Sequence, residues 1–168
     1  HGMAAVVVPQ WHDLPEWVAF QAGAVTDALV SMPPRTKVLF TAHSLPERVL
    51  VDDPYPDQLR ASAGAIAPAA GLDRWAGWAV AWQSAGRTPE PWLGPDILQA
   101  ITDLAAAGTD GVLVCACGFV SDHLEVLYDL DIEAARHAEA LGIAFDRTAC
   151  VNDDPAVFTQ LAAAIHDI

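Results

Sequence analysis

Bases are scarce in this chain: eight Lys and Arg stand against 22 Asp and Glu, for a formal net charge of −14 over 168 residues. That balance argues against nucleic acid as a partner, because neutralising phosphates takes clustered cations. Cysteine is equally sparse. Cys115, Cys117 and Cys150 make an odd count, which speaks against a disulfide scaffold and fits a reducing, cytoplasmic setting. No apolar run is long enough to span a bilayer and no signal-peptide pattern opens the chain, so neither a transmembrane segment nor export is expected. Three fingerprints are also missing. There is no Gly-x-Gly-x-x-Gly after the first apolar run, no Gly-x-x-x-x-Gly-Lys-Ser/Thr and no Gly-x-Ser-x-Gly. Dinucleotide binding, phosphate-loop and α/β-hydrolase chemistry drop out with them.

What is present is apolar and regular. With 53% apolar residues and 18% charged, the chain has the composition of a densely packed domain, and its length suits one domain over residues 1–168. Short β-type runs alternate with helical periodicity: Ala4 to Val8, then a helix over Pro15 to Val30; Lys37 to Ala42, then an alanine-rich helix ending near Gly71. Trp75 to Trp82 reads as a third strand, followed by a helix from Asp96 to Ala107. The fourth is the run from Val112, bounded by Gly111 and Gly118, with a helix ending near Gly142. Ala144 to Val151 reads as a fifth, and Asp154-Pro155 opens the last helix. Five alternations without a linker predict a three-layer α/β/α domain with a central parallel sheet, flavodoxin-like in layout. In such a sheet the loops after the second and third strands and the helix after the fourth all leave the carboxyl edge, where open α/β sheets place their ligands.

The helix after the fourth strand carries the most pointed signal. Ser121 or Asp122 reads as its N-cap, and Glu125, Asp129 and Glu133 recur every four residues in one acidic row. Like charges at that spacing repel, so the row calls for solvent, a cation or a metal. A solvated face is one reading; a metal-handling site is the other, favoured by the position after a strand's carboxyl end. His43 ends the second strand and offers an imidazole for proton transfer or metal binding, or else a structural hydrogen bond. A His and a Glu on neighbouring strand ends make an acid/base or metal-transfer pair, with His123 placed to support Glu125. Trp82 and Trp92 bracket the third loop around Arg87. They fit either loop anchoring or a flat wall for an aromatic ligand whose acidic group Arg87 would meet. The remaining tryptophans, Trp11, Trp17, Trp75 and Trp78, read as packing residues. Cys115 and Cys117 share a strand face and read as buried thiols rather than cluster ligands.

Three separated segments then carry a resemblance. Leu39-Phe-Thr-Ala-His-Ser-Leu-Pro46, Trp82-Gln-Ser-Ala-Gly-Arg-Thr-Pro-Glu-Pro-Trp-Leu-Gly-Pro95 and Gly118-Phe-Val-Ser-Asp-His-Leu-Glu-Val-Leu-Tyr-Asp-Leu-Asp131 resemble, in order, the ferrochelatase family. The high alanine content is similar to actinobacterial members, which resemble the coproporphyrin-using branch. The resemblance implies insertion of ferrous iron into coproporphyrin III or protoporphyrin IX in haem biosynthesis. It implies no organic cofactor, Fe2+ as substrate, His43 and Glu125 as the active-site pair, and Asp129 and Glu133 as continuing a metal or proton path along a π-distorted helix. Trp82, Arg87, Trp92 and His123 become substrate-binding candidates. All three segments belong to the carboxyl-terminal half of a two-domain family, so an amino-terminal half is an expected partner. Some relatives carry an iron–sulfur cluster, but four ligands for one cannot be assembled from this chain alone. Two alternatives stand beside this reading: a half-size homodimeric chelatase of the cobalt type, and a porphyrin- or metal-binding module without catalysis.

Overall fold

The computed structural model describes residue 7, residues 10–72 and residues 77–166. Among them a four-stranded, all-parallel sheet forms the middle layer, with strands β1 (Thr36–His43), β2 (Trp78–Gln83), β3 (Gly111–Cys115) and β4 (Ala144–Arg147) in the order β2-β1-β3-β4. The three-layer α/β/α expectation holds. Of the five expected strands, Ala4 to Val8 lies outside the described residues apart from an exposed, irregular Val7.

Alternation along the strands decides which residues meet which helix layer. Val38, Phe40, Ala42, Leu113, Cys115 and Trp82 point to the side covered by α1 (Pro15–Leu29) and α2 (Tyr55–Ala69). Leu39, Ala81, Val112 and Val114 point to the other side, where α3 (Ile97–Ala106) and the acidic helix pack. Both faces of β3 are fully buried, as a continuous apolar run in a parallel sheet requires. The last helix, α6 (Pro155–His166), packs on α1 through Trp17, Val151 and Val157.

The acidic helix is continuous but not uniform. It begins as α4 (Leu124–Val126), widens into a π-helical segment (Leu127–Ala134) and finishes as α5 (Ala135–Leu141), where Gly142 takes the left-handed conformation, φ 72°, that closes a helix. Boundaries elsewhere shift by a few residues. The third strand starts at Trp78, residues 73–76 lying outside the described set, and Asp96 sits before its helix as a true N-cap, accepting from the Leu98 N–H at 2.9 Å. The last strand stops at Arg147 rather than Val151. There the chain turns back toward the acidic helix, with Cys150 N–H and Asn152 bonded to Asp122.

Candidate active site

The strand order reverses between β1 and β3, and the crevice at their carboxyl ends is where an open α/β sheet accepts a ligand. His43 is the final residue of β1. Its ring projects to the same side as Leu39 and Thr41, the side of the acidic helix. Nδ1 donates to the Ser44 carbonyl at 2.5 Å, which leaves Nε2 to face Glu125, whose Oε2 is 3.5 Å away. The Tyr55 hydroxyl donates to the His43 carbonyl at 2.9 Å from the other side of the strand. Burial of that phenol pushes its pKa up to about 12, so it stays a donor. Both members of the His43–Glu125 pair remain partly open to solvent, at 32% and 53% side-chain exposure.

Gly118 sets how closely the ends of β1 and β3 approach. It follows β3, donates its N–H to the Thr41 carbonyl at 2.9 Å, and passes so close to β1 that a Cβ there would stand 2.3 Å from the Ala42 Cβ. Only glycine allows that approach. The segment after it leads into the acidic helix, where the N-cap is His123 rather than Ser121 or Asp122: His123 Nδ1 accepts from the Glu125 N–H at 3.3 Å. His123 therefore supports Glu125 through its backbone. Asp122 is drawn elsewhere, to Arg147.

Further along the helix, the Ser84 hydroxyl donates to Asp129. Asp129 and Glu133, with Ser84, Arg87, Asp96 and Tyr128, line an open hollow of about 220 Å³ beside the pair. The acids thus form a row, not one coordination sphere: among the described residues no group of three or more His, Cys, Asp or Glu is arranged to hold a metal ion. Trp82 is a core aromatic, 2% exposed and tilted against Tyr55 at 5.6 Å, so in this chain it presents no ring to a ligand. Trp92 is half-buried, seated where a Gly86 side chain would be, with its Nε1 donating to Thr88 at 3.0 Å. Its loop is tied to the loop after His43 through the Pro46–Trp92 bridge and the Leu93 N–H to Leu45 carbonyl bond of 3.0 Å. The three irregular segments do converge on one edge. Cys115 and Cys117 lie in the core toward α1 and α2, and Cys150 in the core on the opposite side. His137 bonds Thr102 at 2.8 Å, bridging two helices away from the crevice.

One group escaped the sequence reading. Arg147, 13% exposed, bonds both oxygens of Asp131 and one of Asp122, and its pKa is raised by Asp131 against the cost of burial. A lone cation in a short strand, in a chain with few bases, was the available signal, because a charge placed there needs acids to meet it.

The parallel α/β layer brings an imidazole and a carboxylate face to face at its switch point, a pair of groups able to exchange a proton or share a cation. Comparison makes the class specific. The chain belongs to the ferrochelatase family, whose model matches residues 1–167. It is 43% identical over 164 residues to the ferrochelatase of Herpetosiphon aurantiacus, covering 95% of this chain and 53% of that protein. It is 41% identical over 162 residues to the coproporphyrin III ferrochelatase of Halalkalibacterium halodurans, covering 94% and 51%. With the coproporphyrin III ferrochelatase of Bacillus subtilis the figures are 38% over 170 residues, covering 98% and 54%. The chain spans about half the length of these curated relatives.

Proposed function

We propose that this chain is the carboxyl-terminal, metallating half of a ferrochelatase that inserts ferrous iron into coproporphyrin III in the cytoplasm, with His43 and Glu125 at the point of transfer. The supporting observation is the 3.5 Å gap between His43 Nε2 and Glu125 Oε2 in a member of this family. Because Nδ1 spends its hydrogen on Ser44, a neutral His43 turns a lone pair toward a carboxylate that also offers lone pairs. Something positive in the gap relieves that repulsion. A proton on Nε2 meets that need. So does a divalent cation: two donors each about 2.1 Å from a four-coordinate metal lie roughly 3.4 Å apart.

Both occupants belong to the reaction. Insertion exchanges two pyrrole N–H protons for one Fe2+, and the protons must leave as the iron loses water and gains four nitrogens. An imidazole backed by a carboxylate provides the exit. Two protein donors leave the remaining coordination positions of the cation free for water and then for the macrocycle. Asp129 and Glu133 continue the acidic row away from the pair, and Arg87, which lines the hollow with them, and Trp92 on the same loop are the proposed contacts for a propionate and a ring face. The other wall of the cleft would come from an amino-terminal half. Exposed Val120, Leu124 and Tyr128 beside Glu125 give such a half, or a second copy of this chain, an apolar surface to cover.

The test is an insertion assay with Fe2+ and coproporphyrin III, run on the chain alone and joined to the amino-terminal half of a relative. Activity only with the added half supports the proposal. Activity of the chain alone, rising with dimer concentration, would replace it with a half-size homodimeric chelatase. Porphyrin binding without turnover in both formats would leave a binding module.

A further inference from the structure

Asp131 is the acid of the π-helical segment that the Glu125, Asp129, Glu133 row leaves out. It lies within the π-helical segment, and Arg147 grips it from the end of β4 with Nε at 2.5 Å and Nη2 at 2.9 Å. Nη1 of the same guanidinium donates to Asp122 at 2.7 Å and to the Thr148 carbonyl at 3.1 Å. Asp122 is itself fixed: its carboxylate accepts from the Asn152 amide at 2.8 Å and its N–H donates to Asn152 Oδ1 at 2.9 Å. A guanidinium is planar and its fork is rigid. One acid before the helix and one within it are therefore held at a fixed separation and twist, and Glu125 and Asp129 stand between them.

The core does not impose that twist. Val126, Leu130, Ala134 and Ala138 are all fully buried and recur every four residues. A step of four falls between the 3.6-residue turn of an α-helix and the wider turn of a π-helix, so the same apolar stripe serves either. The acidic row has the same step and is equally indifferent. Converting the segment to α would remove the extra residue of each wide turn and swing Asp131 off the plane of Arg147. Bidentate pairing selects the π register, where packing does not.

We infer that Arg147 is a positioning residue: by clamping Asp122 and Asp131 together it fixes the π register of the helix and thereby holds Glu125 opposite His43 and Asp129 opposite Ser84. The inference rests on the proposed metallation role of Glu125 only for its functional consequence; the register itself is separate.

The experiment uses the full chain with Asp131→Asn and Arg147→Lys, the first nearly isosteric at a 41%-exposed side chain, the second keeping charge while losing the fork. Hydrogen exchange along residues 124–141 reads how firmly one register is held, and titration with Zn2+ alone reads the pair. With the clamp gone neither register is selected and the segment passes between two hydrogen-bond ladders, so both variants should lose exchange protection in residues 124–134 while the β1 and β3 amides keep theirs, and Zn2+ affinity should fall about 10–100-fold, the usual effect of removing a group that orients a ligand. Asp131→Asn with wild-type helix protection would overturn the inference. If Arg147→Lys fails to fold, Asp131→Asn decides alone. Should the wild-type chain bind no Zn2+, the metallation reading loses its support, and the exchange pattern still confirms or overturns the clamp.

Discussion

Two charge clusters share the acidic helix and are built on contrary plans. On the side toward β4, Arg147 meets Asp122 and Asp131 in a net where nearly every donor has an acceptor and the guanidinium is 13% exposed. Toward β1 and β2, His43 and Glu125 face each other across 3.5 Å with solvent at both, and Asp129 has one hydroxyl for company. A saturated cluster has no valence left for a ligand. An unsaturated one, held in place by its saturated neighbour, keeps that capacity at the cost of local repulsion. The helix thus separates a closed cluster from an open one by a rotation about its own axis.

The largest effect should come from the open cluster and should fall on activity alone. His43→Ala in the chain joined to an amino-terminal half is expected to lower the insertion rate by about 10²-fold or more, the usual loss for a removed general base. Thermal unfolding should move little, because the imidazole is partly exposed and its partner carboxylate can turn to water. A rate within threefold of wild type would break the contrast. A large drop in unfolding temperature would break it differently, by making His43 part of the scaffold.

How much of this could be read beforehand follows from the same contrast. That His43 and Glu125 would face each other was legible because each sits at a position that periodicity marks, one at a strand end and one in a helix's first turn. The parallel sheet was legible for the same reason: each apolar run is short and each connection helical. Arg147 was not, since its partners lie in a loop and in a helix far from it in sequence, and nothing in the spacing of Asp122 and Asp131 announces a shared cation. The π register was invisible to residue spacing because steps of four suit both helix types; only the family resemblance suggested it. Trp82 misled for a related reason. A tryptophan at the mouth of a loop and one at the end of a buried strand look identical in sequence, and alternation with Val80 on β2 placed this one inward.

A second, smaller effect probes how the open cluster is positioned from the sheet. Gly118→Ala puts a methyl group 2.3 Å from the Ala42 Cβ and 2.7 Å from its Cα. Backbone must yield on one side, at about 1–3 kcal/mol for forced overpacking. The shift falls on the residue before His43, so activity should drop together with stability, unlike His43→Ala. Equal unfolding temperatures for Gly118→Ala and wild type would mean the two strand ends part easily, and the crevice would be softer than its hydrogen bonds suggest.

The smallest effect is a pH dependence carried by the saturated cluster. Burial alone would raise the Asp122 pKa, but the Asn152 amide, the Cys150 N–H and Arg147 together bring it below the ordinary carboxylate range. Its protons therefore bind the unfolded chain first. Above the unfolded value near 3.9 the stabilisation is complete, and it is lost as pH falls below that value and through the folded pKa. Asp110 and Glu90, lowered chiefly by their hydrogen bonds to Arg35 and Arg48, titrate in the same direction. Asp122→Asn separates the contributions: it should cost roughly 0.5–1.5 kcal/mol at pH 7, the net worth of a hydrogen bond, and flatten the fall in stability between about pH 4 and pH 2 that urea denaturation of the wild type would trace. A curve as steep as the wild type's would assign the acid sensitivity to the surface pairs and leave the Arg147 net without a measurable share.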